Sequence, residues 1–297
     1  MNLLGIDIGG TSIKAALLRP HEHAPDWVAT SPRYQHPTID ELACLLRDLI
    51  CNAPIPNGEP LGIGLCAPGL YDQTTGSITR AINLPCLVSV PLAGFVRSAL
   101  PSGAPSPAPP VICSDALAAA TDFQALFPAR GRLLALSLGT GIGAAVLDNG
   151  QPLVVSGNSP GHFGQMDVSI EAGELSPPLG PDGGRGGLEG YIGLPAIIAR
   201  HGPDPEVWLA SLKGAEPELR ALTRAIRIAH AIYRPERIAL LGGVGSRLRS
   251  VGPVLHAAIS HELTSLARPG WELAFGTSDH HAASGAARIA GCSTPKA

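Results

Sequence analysis

The sequence is poor in aromatic residues, at 4%, and in charged ones, at 15%. So few rings disfavour a stacking platform for single-stranded nucleic acid. Lysine occurs only as Lys14, Lys213 and Lys296, so arginine supplies nearly all the positive charge. A net charge of −3 argues against a surface built for nucleic acid or anionic lipid. No apolar run reaches the ~20 residues that span a bilayer. The opening Met-Asn-Leu-Leu-Gly-Ile-Asp lacks the basic start of a signal peptide. The six cysteines, Cys44, Cys51, Cys66, Cys86, Cys113 and Cys292, form no C-x-x-C pair. Reduced, mostly buried thiols in a cytoplasmic protein are the expectation. Neither G-x-x-x-x-G-K-S/T nor G-x-G-x-x-G occurs, so the P-loop and the dinucleotide fingerprint do not apply. One G-x-S-x-G runs from Gly157 to Gly161, but Pro160 follows its serine. Proline has no N–H to build an oxyanion hole, which removes the hydrolase reading.

What is present points to layered α/β structure. The 297 residues are enough for two domains, and 45% of them are apolar. Leu3 to Ile8 and Ile13 to Leu18 read as strands around a glycine turn. Thr38 and Glu41 form a capping box for a helix to Asn52, with Leu42, Leu45, Leu46, Leu49 and Ile50 on one stripe. Leu61 to Cys66 reads as a buried strand, 101–110 as a Pro/Ser/Gly/Ala loop, and Val111 to Cys113 as a short strand. Asp115 opens an Ala-rich helix to about Phe127. A second unit follows the same plan, with strand Leu133 to Leu138, turn Gly139-Thr140-Gly141 and strand Ala144 to Leu147. Leu3/Leu133, Leu4/Leu134, Gly9/Gly139, Ala15/Ala145 and Leu17/Leu147 coincide, which makes an internal duplication plausible. Helices at 195–200, 217–233, much of 246–265 and 281–290 alternate with strands at 237–241 and 271–275.

The chemistry concentrates in the two glycine turns. In Asp7-Ile8-Gly9-Gly10-Thr11-Ser12-Ile13-Lys14 the glycines let backbone amides approach phosphate oxygens. Thr11 adds a hydroxyl and Lys14 a charge. Asp7 at the strand end can hold Mg²⁺ through water. Gly139, Thr140 and Gly141 form a second turn of the same type at the matching place. Either turn alone is also an ordinary glycine-rich hairpin; two at matched positions read as a grip on a nucleotide's phosphates.

These residues resemble the ROK family of sugar kinases and repressors, within the actin-like ATPase superfamily, over nearly the whole chain. The resemblance implies an α/β fold of two actin-like (ribonuclease H-like) domains with an interdomain cleft. The first would be 1–115 joined by the C-terminal helix 281–297, the second 116–280. Gly62 to Gly69 with Ala81-Ile82-Asn83-Leu84 is similar to the sugar-binding stretch, with Asn83 on the sugar hydroxyls. Ser114-Asp115 resembles the Asn-Asp pair whose Asp is the general base. Leu240 to Gly245 resembles the adenosine segment and places Gly242 and Gly243 there, as a turn. The phosphate hairpin begins at Leu3, so an N-terminal helix-turn-helix, as in the family's repressors, is not expected.

The departures lie on the sugar side. Where the family carries Ala-Gly-Glu-Ile-Gly-His, this chain has Pro160-Gly161-His162-Phe163-Gly164-Gln165. The family's Cys-x-Cys-Gly-x-x-Gly-Cys-Leu-Glu zinc loop here reads Gly180 to Glu189, without any cysteine. Gly180, Asp182, Gly187 and Gln165 stand at the ligand positions, so no zinc is expected. Asp115 is either a helix cap or the base. Glu189 is either a first-turn carboxylate or a sugar acceptor. His162 is either a sugar contact or a loop histidine, and Gln165 stands with it. His21, His23, His280 and His281 read as surface or cap residues. The resemblance implies ATP and Mg²⁺ as cofactors and a small-molecule sugar as partner, and leaves a homodimer open; the net charge and the lack of a long apolar run make nucleic acid and membrane unexpected partners.

Overall fold

The computed structural model describes residues 1–20, 22–55, 59–101, 108–154, 161–169, 177–267 and 269–293. The chain separates into two compact units, Met1–Pro128 with the segment from His280 onward, and Ala129–Asp279.

The first unit holds a five-stranded sheet. β1 (Asn2–Ile8) pairs antiparallel with β2 (Ile13–Leu18), and β2 with β3 (Trp27–Thr30). After α1 (Ile39–Cys51), β4 (Leu61–Cys66) joins β1 in parallel. A small hairpin, β5 (Leu70–Asp72) and β6 (Ser77–Arg80), and α2 (Leu92–Ala99) precede β7 (Val111–Cys113), which extends the sheet beside β4. α3 (Asp115–Leu126) follows. The capping box on α1 forms as expected: the Glu41 N–H donates to Thr38 Oγ1 at 3.2 Å and the Thr38 N–H to Glu41 Oε2 at 2.7 Å. Leu42, Leu46, Leu49 and Ile50 of that helix are buried, each contributing ~1.5–3 kcal/mol of apolar transfer.

The second unit repeats the topology. The first sheet has the order β3-β2-β1-β4-β7. β8 (Arg132–Leu138), β9 (Ile142–Asp148), β10 (Gln151–Pro152), β11 (Arg237–Leu241) and β12 (Glu272–Phe275) stand in the order β10-β9-β8-β11-β12. Between β10 and β11 lie α4 (Leu188–Ile192), α5 (Leu194–His201), α6 (Pro205–Ser211) and α7 (Pro217–Tyr233). α8 (Gly242–Arg247) and α9 (Gly252–Glu262) precede β12. After β12 the chain returns to the first unit as α10 (His281–Ser293). The matched strand orders account for the Gly9/Gly139 correspondence as a structural repeat.

Four expectations change. The first unit runs to Pro128 and not to 115, because the buried alanines of α3 pack on α10; Ala118, Ala286 and Cys66 share one cluster. Gly242-Gly243 is the opening of α8 and not a free turn. The cysteines are not mostly buried: Cys44, Cys51 and Cys292 lie on outer helix faces. His281 is no surface residue. It is 2% exposed, and its Nδ1 lies 2.7 Å from Asp122 Oδ2, while the Arg288 Nε–H donates to Asp122 Oδ1 at 2.7 Å. His23 is exposed as expected; His21, residues 102–107 and most of the G-x-S-x-G segment lie outside the described residues. Among the described residues no helix is long and apolar enough to cross a membrane.

Candidate functional site

In the first unit three parallel strands end in one row. Asp7 of β1 is in register with Cys66 of β4, and Cys66 with Cys113 of β7. The thiols of Cys66 and Cys113 lie 3.7 Å apart, and the hydrogen bond with Cys113, together with burial, pushes the Cys66 thiol up. β1 continues into Gly9, Gly10 and Thr11, and the Gly9 N–H closes the turn on the Ser12 carbonyl at 3.0 Å. β2 then brings Lys14 opposite Asp7. Burial and the charge of Asp115 push the Asp7 carboxyl up to about 7, against the opposing pull of Lys14.

Asp115 follows the end of β7, and the structure settles which residue caps the helix there. The Ser114 Oγ accepts the Leu117 N–H at 3.2 Å, so Ser114 is the N-cap of α3 and Asp115 its first residue. One Asp115 oxygen, Oδ1, accepts the Ala116 N–H at 2.8 Å. No described residue bonds the other, Oδ2. Burial holds the carboxyl above its usual range. Ser114 keeps a hydroxyl proton to donate. Asn83 is half-buried in the bend after β6; no hydrogen bond ties it to Asp115.

In the second unit the β8–β9 turn carries Gly139, Thr140 and Gly141, closed by the Gly139 N–H on the Gly141 carbonyl at 3.0 Å. The next amide, of Ile142, donates to Glu189 Oε2 at 3.0 Å. Glu189 lies in the first turn of α4, but its carboxylate is tied to the hairpin and is more than a dipole partner. Burial, with Asp182 nearby, raises its pKa, and the Ile142 N–H opposes the rise. Gly164 packs into the angle, since a Cβ there would meet Glu189 Oε2 at 2.9 Å and Ile142 Cβ at 3.0 Å. This brings the turn of His162 and Gln165 beside Glu189; both side chains are exposed. Gly242 abuts the same hairpin. It has a φ of +77°, and a Cβ would meet the Leu138 carbonyl at 2.6 Å. Gly243 follows, its carbonyl bonded by Arg247. Asp7 has no acidic counterpart here: Ser137 holds its place on β8.

The cysteine-free loop holds its shape by hydrogen bonds. The Gly180 N–H donates to the Gly184 carbonyl at 2.7 Å, the Gly186 N–H to Pro178 at 2.9 Å and the Gly184 N–H to Asp182 Oδ1 at 3.2 Å. Protein purified without added zinc is therefore expected to carry far less than one equivalent by metal analysis. Stoichiometric zinc surviving a chelator would contradict this.

Sequence reasoning missed three participants. Tyr34 bonds the Gly9 carbonyl through its hydroxyl. The Ile142 amide tethers Glu189, and the Leu194 N–H donates to the Gly139 carbonyl at 2.9 Å. Each joins segments far apart in the chain, and no local pattern marks them.

The ROK family model matches residues 3–291. The chain belongs to the ROK family. This ROK protein is 26% identical over 175 residues to a glucokinase of Halalkalibacterium halodurans, covering 57% of this chain and 51% of that one. It is 28% identical over 206 residues to an N-acetyl-D-glucosamine kinase of Yersinia pestis, covering 63% and 73%. The chain thus spans about half the length of the first of these relatives. Among solved structures it is similar to a ROK family glucokinase from Streptomyces griseus in complex with glucose and AMPPNP. That match has a TM-score of 0.73 at 18% identity, covering 97% and 99% of the two chains. The same fold recurs in an inorganic polyphosphate/ATP-glucomannokinase from Arthrobacter, with a TM-score of 0.67 at 19% identity and 99% coverage of both.

Proposed function

We propose that this ROK protein transfers the γ-phosphoryl group of ATP to a hydroxyl of a hexose or hexose derivative. The observation that carries the reading is Asp115: a partly enclosed carboxyl at a strand end, with one oxygen tied and one open, and its cap role taken by Ser114. An open carboxylate oxygen there can accept the sugar hydroxyl's proton as that oxygen attacks phosphorus. Gly9, Gly10, Thr11 and Lys14 would hold phosphates from the first unit, and Gly139, Thr140 and Gly141 from the second. Gly242 and Gly243 would lie by the adenosine. Asn83, Ser114, His162, Gln165 and Glu189 would bind the sugar.

The first unit suits a divalent cation. Burial, and after it the nearby Asp115 charge, hold the Asp7 carboxyl up, with Lys14 as the opposing charge. Mg²⁺ beside Asp7, through water, would supply positive charge that stabilises the transferring phosphoryl group. The six free cysteines and the use of ATP suit the cytoplasm.

A kinase for an amino or N-acylated sugar is the second reading. It is favoured by the exposed pair His162 and Gln165, neither of them a carboxylate, and by the N-acetyl-D-glucosamine kinase among the relatives. Charge-assisted hydrogen bonds are about twice as strong as neutral ones, so the pocket should hold plain glucose weakly. A coupled ADP-release screen across hexoses, hexosamines and acylhexosamines tests both readings. At least one sugar should drive ADP release, with a glucose KM at or above ~1 mM. Restoring a carboxylate with His162→Glu should reorder the sugars more than it changes the KM for ATP. ATP binding with no response to any sugar would favour a non-catalytic binding protein.

A further inference from the structure

The two phosphate turns share a feature that their sequences do not show. In the first, the Gly9 carbonyl accepts the Tyr34 hydroxyl. The Tyr34 N–H donates to the Thr11 carbonyl at 3.0 Å. Ser31 joins in the same way: its N–H donates to the Ile13 carbonyl at 2.8 Å, and its Oγ accepts the Ile13 N–H at 2.9 Å. The segment after β3 thus runs along the back of the turn. In the second unit Gly139 holds the place of Gly9 in the repeat, and its carbonyl accepts the Leu194 N–H at 2.9 Å, from the first residue of α5. A side chain does in one unit what a backbone amide does in the other.

In a trans peptide the carbonyl and the following N–H point in opposite directions. Anchoring the Gly9 carbonyl therefore turns the Gly10 N–H the other way, and anchoring Gly139 does the same for the Thr140 N–H. Neither amide has a partner among the described residues. A Gly-Gly peptide is free to rotate, and a flipped one would present its carbonyl dipole to a phosphate. We propose that Tyr34 is a positioning residue for ATP: its hydroxyl locks the Gly9–Gly10 peptide so that the Gly10 N–H faces the phosphates, as Leu194 locks Gly139–Thr140. Burial and the nearby Asp7 charge hold the Tyr34 phenol well above its ordinary range, which keeps it a donor.

The inference rests on the kinase reading, and the experiment separates the two. Tyr34→Phe keeps the ring and removes only the hydroxyl. ATP affinity by calorimetry should fall roughly 3–10-fold, the effect of one hydrogen bond. Sugar KM and the thermal midpoint should stay near wild type. Leu194→Pro is the matching variant. It deletes the anchoring N–H at a first helical position, where proline is favoured, and also trims a leucine packed on the second unit's core, so it is read beside Leu194→Ala, which keeps the N–H. Gly193 before it already has φ −63° and ψ 142°, as a residue preceding proline requires. It should produce the same selective loss. Wild-type protein that binds no ATP overturns the kinase reading and this inference with it. Wild-type binding that Tyr34→Phe leaves unchanged overturns the inference alone. An equal fall in ATP and sugar affinity with a lowered midpoint makes Tyr34 a brace of the fold and overturns it too.

Discussion

Asp115→Asn is expected to lower kcat for sugar phosphorylation by roughly 10²–10⁴-fold, the usual contribution of a general base, while ATP affinity stays within a few-fold. The substitution isolates proton acceptance. An amide keeps the size of the carboxyl, and its oxygen can still accept the Ala116 N–H that Asp115 Oδ1 takes at 2.8 Å. The cap of α3 is the Ser114 hydroxyl and stays in place, so the unfolding midpoint should barely move. The pH profile adds a second signature. A base works only when deprotonated, and burial raises the Asp115 carboxyl above its ordinary value. Activity should therefore fall on the acid side at a higher pH than an exposed aspartate would set. Steady-state kinetics across pH check both statements. Equal turnover in wild type and variant would reduce Asp115 to a structural carboxylate.

Gly285→Ala is expected to destabilise the first unit by more than ~3 kcal/mol, beyond the usual range for overpacking. A Cβ on Gly285 would lie 1.7 Å from the Ala118 carbonyl oxygen of α3. The obstacle is backbone, so no side-chain rotation relieves it. Gly5 and Gly64 make the same point from the sheet. A Cβ on either would lie 1.7 Å from the Ala283 oxygen or 1.9 Å from the Ala286 oxygen of α10. Helix and sheet touch backbone to backbone, and only glycine fits between. Gly94→Ala is the control. It sits in α2 with nothing within 4 Å, and should be neutral or stabilising by up to ~1 kcal/mol. Chemical denaturation of both variants tests the contrast; similar stabilities would mean that the helix can back away from the sheet.

The main architecture was legible wherever a run of apolar residues stopped at a glycine. Leu3 to Ile8 before Gly9 and Leu133 to Leu138 before Gly139 are such runs, and both proved to be strands of matching sheets. The missed elements carry weaker marks. β3 is four residues at a sheet edge, with only Trp27 and Ala29 facing inward. α2 follows Pro91 without a side-chain cap. Asp204 and Pro205 did announce α6, but Trp208 and Leu209 alone make a thin apolar face. In the candidate site, the two turns were readable because a glycine run at the end of an apolar strand is a local pattern. Their supports were not. Tyr34 meets Gly9 across 25 positions, Ile142 meets Glu189 across 47, and His281 meets Asp122 across 159. Such pairs follow from the finished packing and leave no local trace. Ser114 and Asp115 show the finer case: both are good caps, and only the helix geometry says which one caps and which stays open.

The return of α10 to the first unit has a bearing on how the protein is made. Gly5, Gly64 and the cluster of Ala16 and Leu18 wait for a partner that follows the entire second unit in chain order. At ribosomal speeds of about 5–20 residues per second, that wait is on the order of 8–35 seconds. During it the nascent sheet shows water a glycine- and alanine-rich face shaped for a helix. The second unit, contiguous in sequence, can finish first. The half that carries Asp7 and Asp115 can then be the last to mature, since its sheet is covered only once α10 has been made.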